Sequence, residues 1–244
     1  MVNKIIFNKI TFNNLDYKKF NRIILKKGFF VFPAGPALAS IKKYNIYHKS
    51  IQKADLVFFD SGLFVLLLRI FKNIKVKKFS GYKFLNLFFN YLKKNNKKSV
   101  FCIDPNLSFS RSNKRYLKNL GLTKTYNYIA PKYDLNRLFD KKLLKVIRKV
   151  KPNFIISNIG GGTQEVLGLY LKRNLKFRTT ILCTGGAISF FTGDQAPINS
   201  FIDNLYLGWL VRLVFNPIIF FKRYLSGLKL IPMVFFDKIQ VLES

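Results

Sequence analysis

Apolar positions along this chain fall into short continuous runs, separated by turn residues and by longer stretches in which they recur every three or four residues. Phe154-Ile155-Ile156-Ser157 and Thr180-Ile181-Leu182-Cys183-Thr184 are runs of the kind that strands buried on both faces require. Each leads into glycines, Gly160-Gly161-Gly162 and Gly185-Gly186, and Thr163-Gln164-Glu165 is predicted to open a helix after the first set. Further strands are predicted over residues 29–32, 54–60, 99–103 and 125–129. Helices are predicted over 37–47, from the Ser61-Gly62 turn to about residue 72, and over 82–94, 111–120 and 135–150, with Gly121 suited to end the fourth of these. Strands alternating with helices of this length specify the α/β class, with a Rossmann-like parallel sheet flanked by helices.

Both ends of the chain depart from the alternation. Residues 1–28 are rich in lysine with scattered aromatics and predict an edge strand or an irregular lead-in. After Ala196-Pro197, residues 197–225 predict two helices broken at Asn216-Pro217, and the apolar run 230–236 is a further strand or part of the same helical unit. The expected division is an α/β domain over 1–196 and a basic, amphipathic, C-terminal helical appendage over 197–244.

Composition narrows the partners. A hydrophobic content of 49% is enough to build a large core, so a disordered chain is excluded. The formal charge of +32 points to anionic surfaces or phosphate-bearing ligands and says nothing about fold. No nucleic-acid-binding motif occurs, and no nucleic-acid partner is expected. Cys102 and Cys183 offer neither a disulfide framework nor a metal cluster, and a reducing cytosol is the expected setting. His48 is the only histidine. The N-terminus shows no cleavable signal pattern, and no uncharged apolar run reaches the roughly 18–20 residues of a spanning helix. Any membrane contact is therefore expected to be peripheral. The apolar and basic residues of 197–225 suit either a core-covering helix pair or docking on an anionic bilayer.

Two glycine turns at strand ends mark the place where an α/β sheet takes its ligand, and a helix N-terminus favours an anion, here a nucleotide or sugar diphosphate. Gly160, Gly161, Gly162, Gly185 and Gly186 are candidate binding positions on this ground. A dinucleotide fingerprint fails, because its third glycine falls on Glu165 and no acid ends the next strand. No P-loop and no nucleophile elbow occur. Of eleven acidic residues, Asp60, Asp104, Glu165 and Asp194 stand beside predicted strand ends or glycine turns; the other seven read as solvated or capping charges. Asp60 is the best-placed general base, with helix capping as its alternative role.

The order of motifs resembles the bacterial WecG/TagA/CpsF glycosyltransferases, which attach N-acetylmannosamine or its uronic acid to a polyprenyl-diphosphate-linked sugar. The family's G-x-G-x-P-x-Q-E is similar to the stretch from Asn158 to Glu165, and V-G-A-x-F-D-F-x-A-G…R-A-P to the stretch from Gly185 to Pro197. The G-L-E-W-x-x-R-L…E-P…R-R-Y-L ending is similar to Tyr206–Leu213, Asn216-Pro217 and Lys222–Leu225, and A-D-L-V-x-x-D-G to Ala54–Gly62. The likeness covers about residues 29–225. It departs where the family's T-x-N falls near Phe32-Pro33-Ala34, at Asn158, Gly162, Ser189 and Gly208, and in the family's R-x-x-G-x-D-L, only echoed by Lys78–Phe84, where Lys78 and Lys83 replace the arginine and aspartate.

The resemblance implies an inverting transfer from a UDP-sugar, without metal or other cofactor, to a lipid-linked acceptor in surface polysaccharide synthesis. It makes Asp60 the base, sets Gln164 and Glu165 at the donor, and places the Gly160–Gly162 backbone in the pocket wall. Arg212 and Arg223 face diphosphate or headgroup charge. It also implies a cytoplasmic protein, peripheral on the inner face of the plasma membrane, with homo-oligomerisation left open. A rival expectation is a family relative without catalysis, kept as a membrane-surface scaffold.

Overall fold

The computed structural model describes residues 2–195, 202–203 and 208–243. The predicted boundary at 196–197 and the motif residues Tyr206-Leu207 lie outside the described residues. Six strands form one parallel sheet: β3 (Gly28–Val31), β4 (Leu56–Val57), β5 (Val100–Asp104), β6 (Thr125–Ile129), β7 (Phe154–Ser157) and β8 (Thr180–Cys183). Their order across the sheet is β4-β3-β8-β7-β5-β6. The α/β, Rossmann-like architecture expected from the alternation is therefore present.

Side chains alternate across this sheet into two apolar layers, as a strand's two-residue period dictates. Phe29, Val31, Val57, Phe101, Ile103, Ile155, Ile181 and Cys183 face one layer. That layer is covered by helices α3 (Asn45–Gln52), α4 (Gly62–Lys72), α7 (Lys141–Val150) and α8 (Thr163–Asn174). Phe30, Leu56, Val100, Cys102, Phe154, Ile156 and Leu182 face the other, under α1 (Phe20–Leu25), α5 (Gly81–Lys94) and α6 (Leu107–Asn119). The second layer is largely phenylalanine. Phe84 alone meets the rings of Phe20, Phe30, Phe32, Phe58, Phe79 and Phe88, with centroids 4.9–6.5 Å away.

The predicted helix over 37–47 is two pieces, α2 (Gly35–Leu38) and α3. Ser40 Oγ bonds back to the Ala37 carbonyl at 2.7 Å between them, an alternative to the helical ladder. Helix α7 starts at Lys141 rather than 135, because Asp140 caps it, accepting from Leu143 N at 2.8 Å. Helix α6 begins four residues before its predicted start, capped by Asn106 through Phe109 N at 3.1 Å.

The N-terminal stretch is the larger correction. Strands β1 (Val2–Phe7) and β2 (Ile10–Asn13) form a hairpin, and β9 (Ile239–Glu243) adds to β1 to complete a three-stranded antiparallel sheet. Ile5, Phe7, Ile10 and Phe12 are fully buried, and Phe7 and Phe12 lie 5.0 and 5.1 Å from the Phe64 ring. The first residues are thus part of the core, and the last strand returns to them. Between β8 and β9 stand α9 (Ser189–Thr192), α10 (Gly208–Phe215), α11 (Pro217–Gly227) and α12 (Leu230–Phe236). The predicted break at Asn216-Pro217 separates α10 from α11. The apolar run 230–236 is a helix, and no described helix is long and apolar enough to cross a membrane.

Candidate functional site

Parallel strands end together, so the loops after β3, β4, β7 and β8 share one end of the sheet. Asp60 follows β4, Gly160–Gly162 follow β7 and Gly185 follows β8. Two inter-strand steps separate β4 from β8 and three separate it from β7, roughly 10 and 14 Å at the usual spacing. The charge of Asp60 acts on Glu165, in the first turn of the helix that follows Gly160–Gly162.

Asp60 does not cap α4; Ser61 does, accepting from Phe64 N at 3.2 Å. The Asp60 carboxylate instead accepts the Gly81 N–H at 2.8 Å, at the first residue of α5. Burial raises its pKa above the ordinary carboxylate value. The Gly81 hydrogen bond and the charges of Lys78 and Arg212 oppose that rise, and Asp203 adds to it. A carboxyl raised in this way is a better proton acceptor than a solvated one once ionised.

The glycine turn is built around an internal carboxyl. Gly162 has φ +94°, a conformation that favours glycine, and its N–H donates to Glu165 Oε2 at 2.6 Å. Glu165 is fully buried, and burial pushes its carboxyl up to about 7 against the hydrogen bonds from Gln164 and Gly162. Gln164, also buried, donates to Glu165 Oε1 at 2.9 Å and accepts from Gly185 N at 2.7 Å. The two side chains expected at the donor therefore brace one glycine turn against the other. Gly160 and Gly161 are exposed, and a Cβ at Gly160 or Gly162 would meet nothing within 4 Å. Packing does not demand glycine at those two positions. A Cβ at Gly186 would come within 2.6 Å of Gln195 Nε2.

Arg212 on α10 lies with its guanidinium 4.6 Å from the Phe190 ring centroid, and its Nε is buried without a hydrogen-bond partner. Burial lowers its pKa, while Tyr224 and Asp60 act to raise it. Arg223 is exposed on α11 but close enough for its charge to act on Arg212. Arg212 thus stands within charge reach of Asp60, and the exposed Arg223 acts on Arg212.

The remaining acidic suspects do other work. Asp104 is fully buried and accepts amide N–H bonds from Asn113, Asn127 and Asn158, each at 2.7 Å. It knots β5, β6, α6 and the start of the glycine turn. Asp194 accepts from Ser112 and Thr192. Sequence reasoning missed Asp203, taken as a solvated or capping charge: it is 8% exposed and bonded to Lys78 and Ser80. A carboxylate amid 43 basic residues carries no sequence signal of which lysine it will meet. An open hollow of about 500 Å³, lined by Leu107, Ser108, Arg111, Ser112 and Arg115 of α6, also went unforeseen.

Cys102 and Cys183 are buried free thiols. Among the described residues no group of three or more His, Cys, Asp or Glu is arranged to hold a metal ion. No curated protein matches the chain. A model of the glycosyl transferase WecG/TagA/CpsF family matches residues 5–243.

Proposed function

Since the chain belongs to the glycosyl transferase WecG/TagA/CpsF family, we propose that it moves an N-acetylmannosamine-like sugar from UDP to a polyprenyl-diphosphate-linked acceptor. It is a glycosyltransferase of cell-surface polysaccharide synthesis; the donor, the acceptor and the residue roles are our reading. Asp60 takes the proton of the acceptor hydroxyl as that oxygen attacks the anomeric carbon. The bond from that carbon to the UDP oxygen breaks, and the configuration inverts. Arg212 and Arg223 neutralise the departing diphosphate, a task guanidinium groups suit because their N–H forks match phosphate oxygens. On this reading no metal is needed, and a chelator leaves the rate unchanged.

The observation that supports this most is the setting of Asp60: anchored by one backbone N–H at a strand-end loop, raised in basicity by burial, and within reach of the Arg212 charge. Gln164 and Glu165 act by holding the Gly160–Gly162 and Gly185-Gly186 turns in place beside it. Residues 1–196 supply Asp60 and the glycine turns, and 197–244 supply the two arginines and the membrane-facing surface. Val214, Phe215, Ile218 and Phe221 are exposed on α10 and α11 beside exposed Lys222 and Arg223, a pairing that suits an anionic leaflet. The protein then works on the inner face of the plasma membrane.

UDP release with a lipid-linked acceptor, compared between wild type and Asp60→Asn, tests the assignment. Loss of a positioned base lowers the rate about 10²–10⁴-fold. Equal rates in the two proteins refute catalysis by Asp60.

A further inference from the structure

Asp203 joins parts of the chain more than a hundred residues apart. Its Oδ1 accepts from Lys78 Nζ at 2.7 Å, its Oδ2 from Ser80 Oγ at 2.8 Å, and its backbone carbonyl from Lys78 Nζ at 2.7 Å. The Lys78 and Asp203 side chains are 12% and 11% exposed, whereas every other ion pair among the described residues has a partner at least 36% exposed. A buried pair loses much of its Coulombic gain to desolvation and is a poor device for stability alone. Its geometry points to a different use. Ser80 is the N-cap of α5, accepting from Lys83 N at 3.1 Å, and the next residue, Gly81, gives its N–H to Asp60. The contacts therefore run from Asp203 through Ser80 to the helix end that holds Asp60.

Resting on the reading of Asp60 as the base, we propose that Asp203 is a positioning residue that fastens the segment preceding α10 to the N-terminus of α5 and thereby sets the orientation and local charge of Asp60. The charged groups acting on Asp60 are Lys78 ahead of α5, Arg212 on α10, Asp203 itself and Glu165 on α8. Removing the Asp203 charge takes away a group that raises the Asp60 pKa, and removing Lys78 takes away one that lowers it. The two changes push the Asp60 carboxyl in opposite directions, which a merely structural role does not do.

The test follows kcat/KM against pH for the full chain, with UDP release as readout. Activity falls as pH drops through the Asp60 pKa. Asp203→Asn moves that limb to lower pH and Lys78→Met moves it to higher pH, each by about 0.5–1 pH unit. Asp203→Glu, which keeps the charge, returns the limb to its wild-type position. Amide exchange gives a second readout independent of turnover: in Asp203→Asn, the peptides containing Gly81 and residues 208–215 exchange at least about tenfold faster. Limbs that stay put, or shift the same way in both variants, overturn the proposal, as does unchanged exchange. Should Asp60→Asn retain the wild-type rate, the catalytic reading falls on its own and the exchange experiment alone decides the clasp. If Asp203→Asn does not fold, Lys78→Met and Asp203→Glu still read the limb.

Discussion

Glu165 gives the sharpest quantitative prediction, because its carboxyl is sealed under the glycine turn. Its ordinary value of 4.5 rises to about 7 in the folded protein, with burial as the leading cause. At about 1.4 kcal/mol per pH unit, that rise corresponds to about 3 kcal/mol. The sign follows from proton binding: between the two values the folded chain holds a proton that the unfolded chain has released. The stability from this group is therefore fully present below pH 4.5 and is lost as pH rises through 7. Glu165→Gln keeps the size and one acceptor for the Gly162 N–H but does not titrate. Urea unfolding of both proteins from about pH 4 to 8.5 isolates the effect, since the other carboxylates cancel in the difference. The stability of the glutamine variant relative to wild type should climb by about 3 kcal/mol across that range. A difference that stays flat within about 0.5 kcal/mol, beyond extrapolation error, would refute the sealed, proton-binding Glu165 described above.

Two further substitutions probe the packing that positions the site. Phe84→Ala removes the ring at the centre of the aromatic layer and should cost about 3–5 kcal/mol in urea unfolding; a loss under 1 kcal/mol would mean that the layer closes over the gap. Gly168→Ala puts a methyl 2.4 Å from Phe29 Cε2 and 2.9 Å from Cys183 Sγ, so α8 must move off β3 and β8 at about 1–3 kcal/mol, with a lower thermal midpoint and weaker transfer activity.

The parallel sheet was legible because each central strand is buried on both faces and so must be apolar without interruption. Residues 125–129, 154–157 and the opening of α8 at Thr163 emerge where the pattern puts them. Asp60 was legible as a strand-end acid, yet its partner was not: nothing in the sequence marks the N–H of Gly81, 21 residues on, as its anchor. Glu165 was expected to contact a ligand. The structure turns it inward, because Gly162 adopts φ +94° and offers its N–H to the helix's own third residue. The lysine-rich opening hid a hairpin, since its buried face is only Ile5, Phe7, Ile10 and Phe12 among charged neighbours.

By itself the sequence determined what depends on local period and composition: the α/β class, the glycine turns, the helix break at Asn216-Pro217 and the strongly basic surface. Tertiary structure alone decided which distant groups meet. The return of residues 239–243 to β1, the Asp104 knot and the Asp203–Lys78 clasp are long-range pairings. Their energies come from excluding water around specific atoms, and that exclusion exists only after the chain has closed on itself.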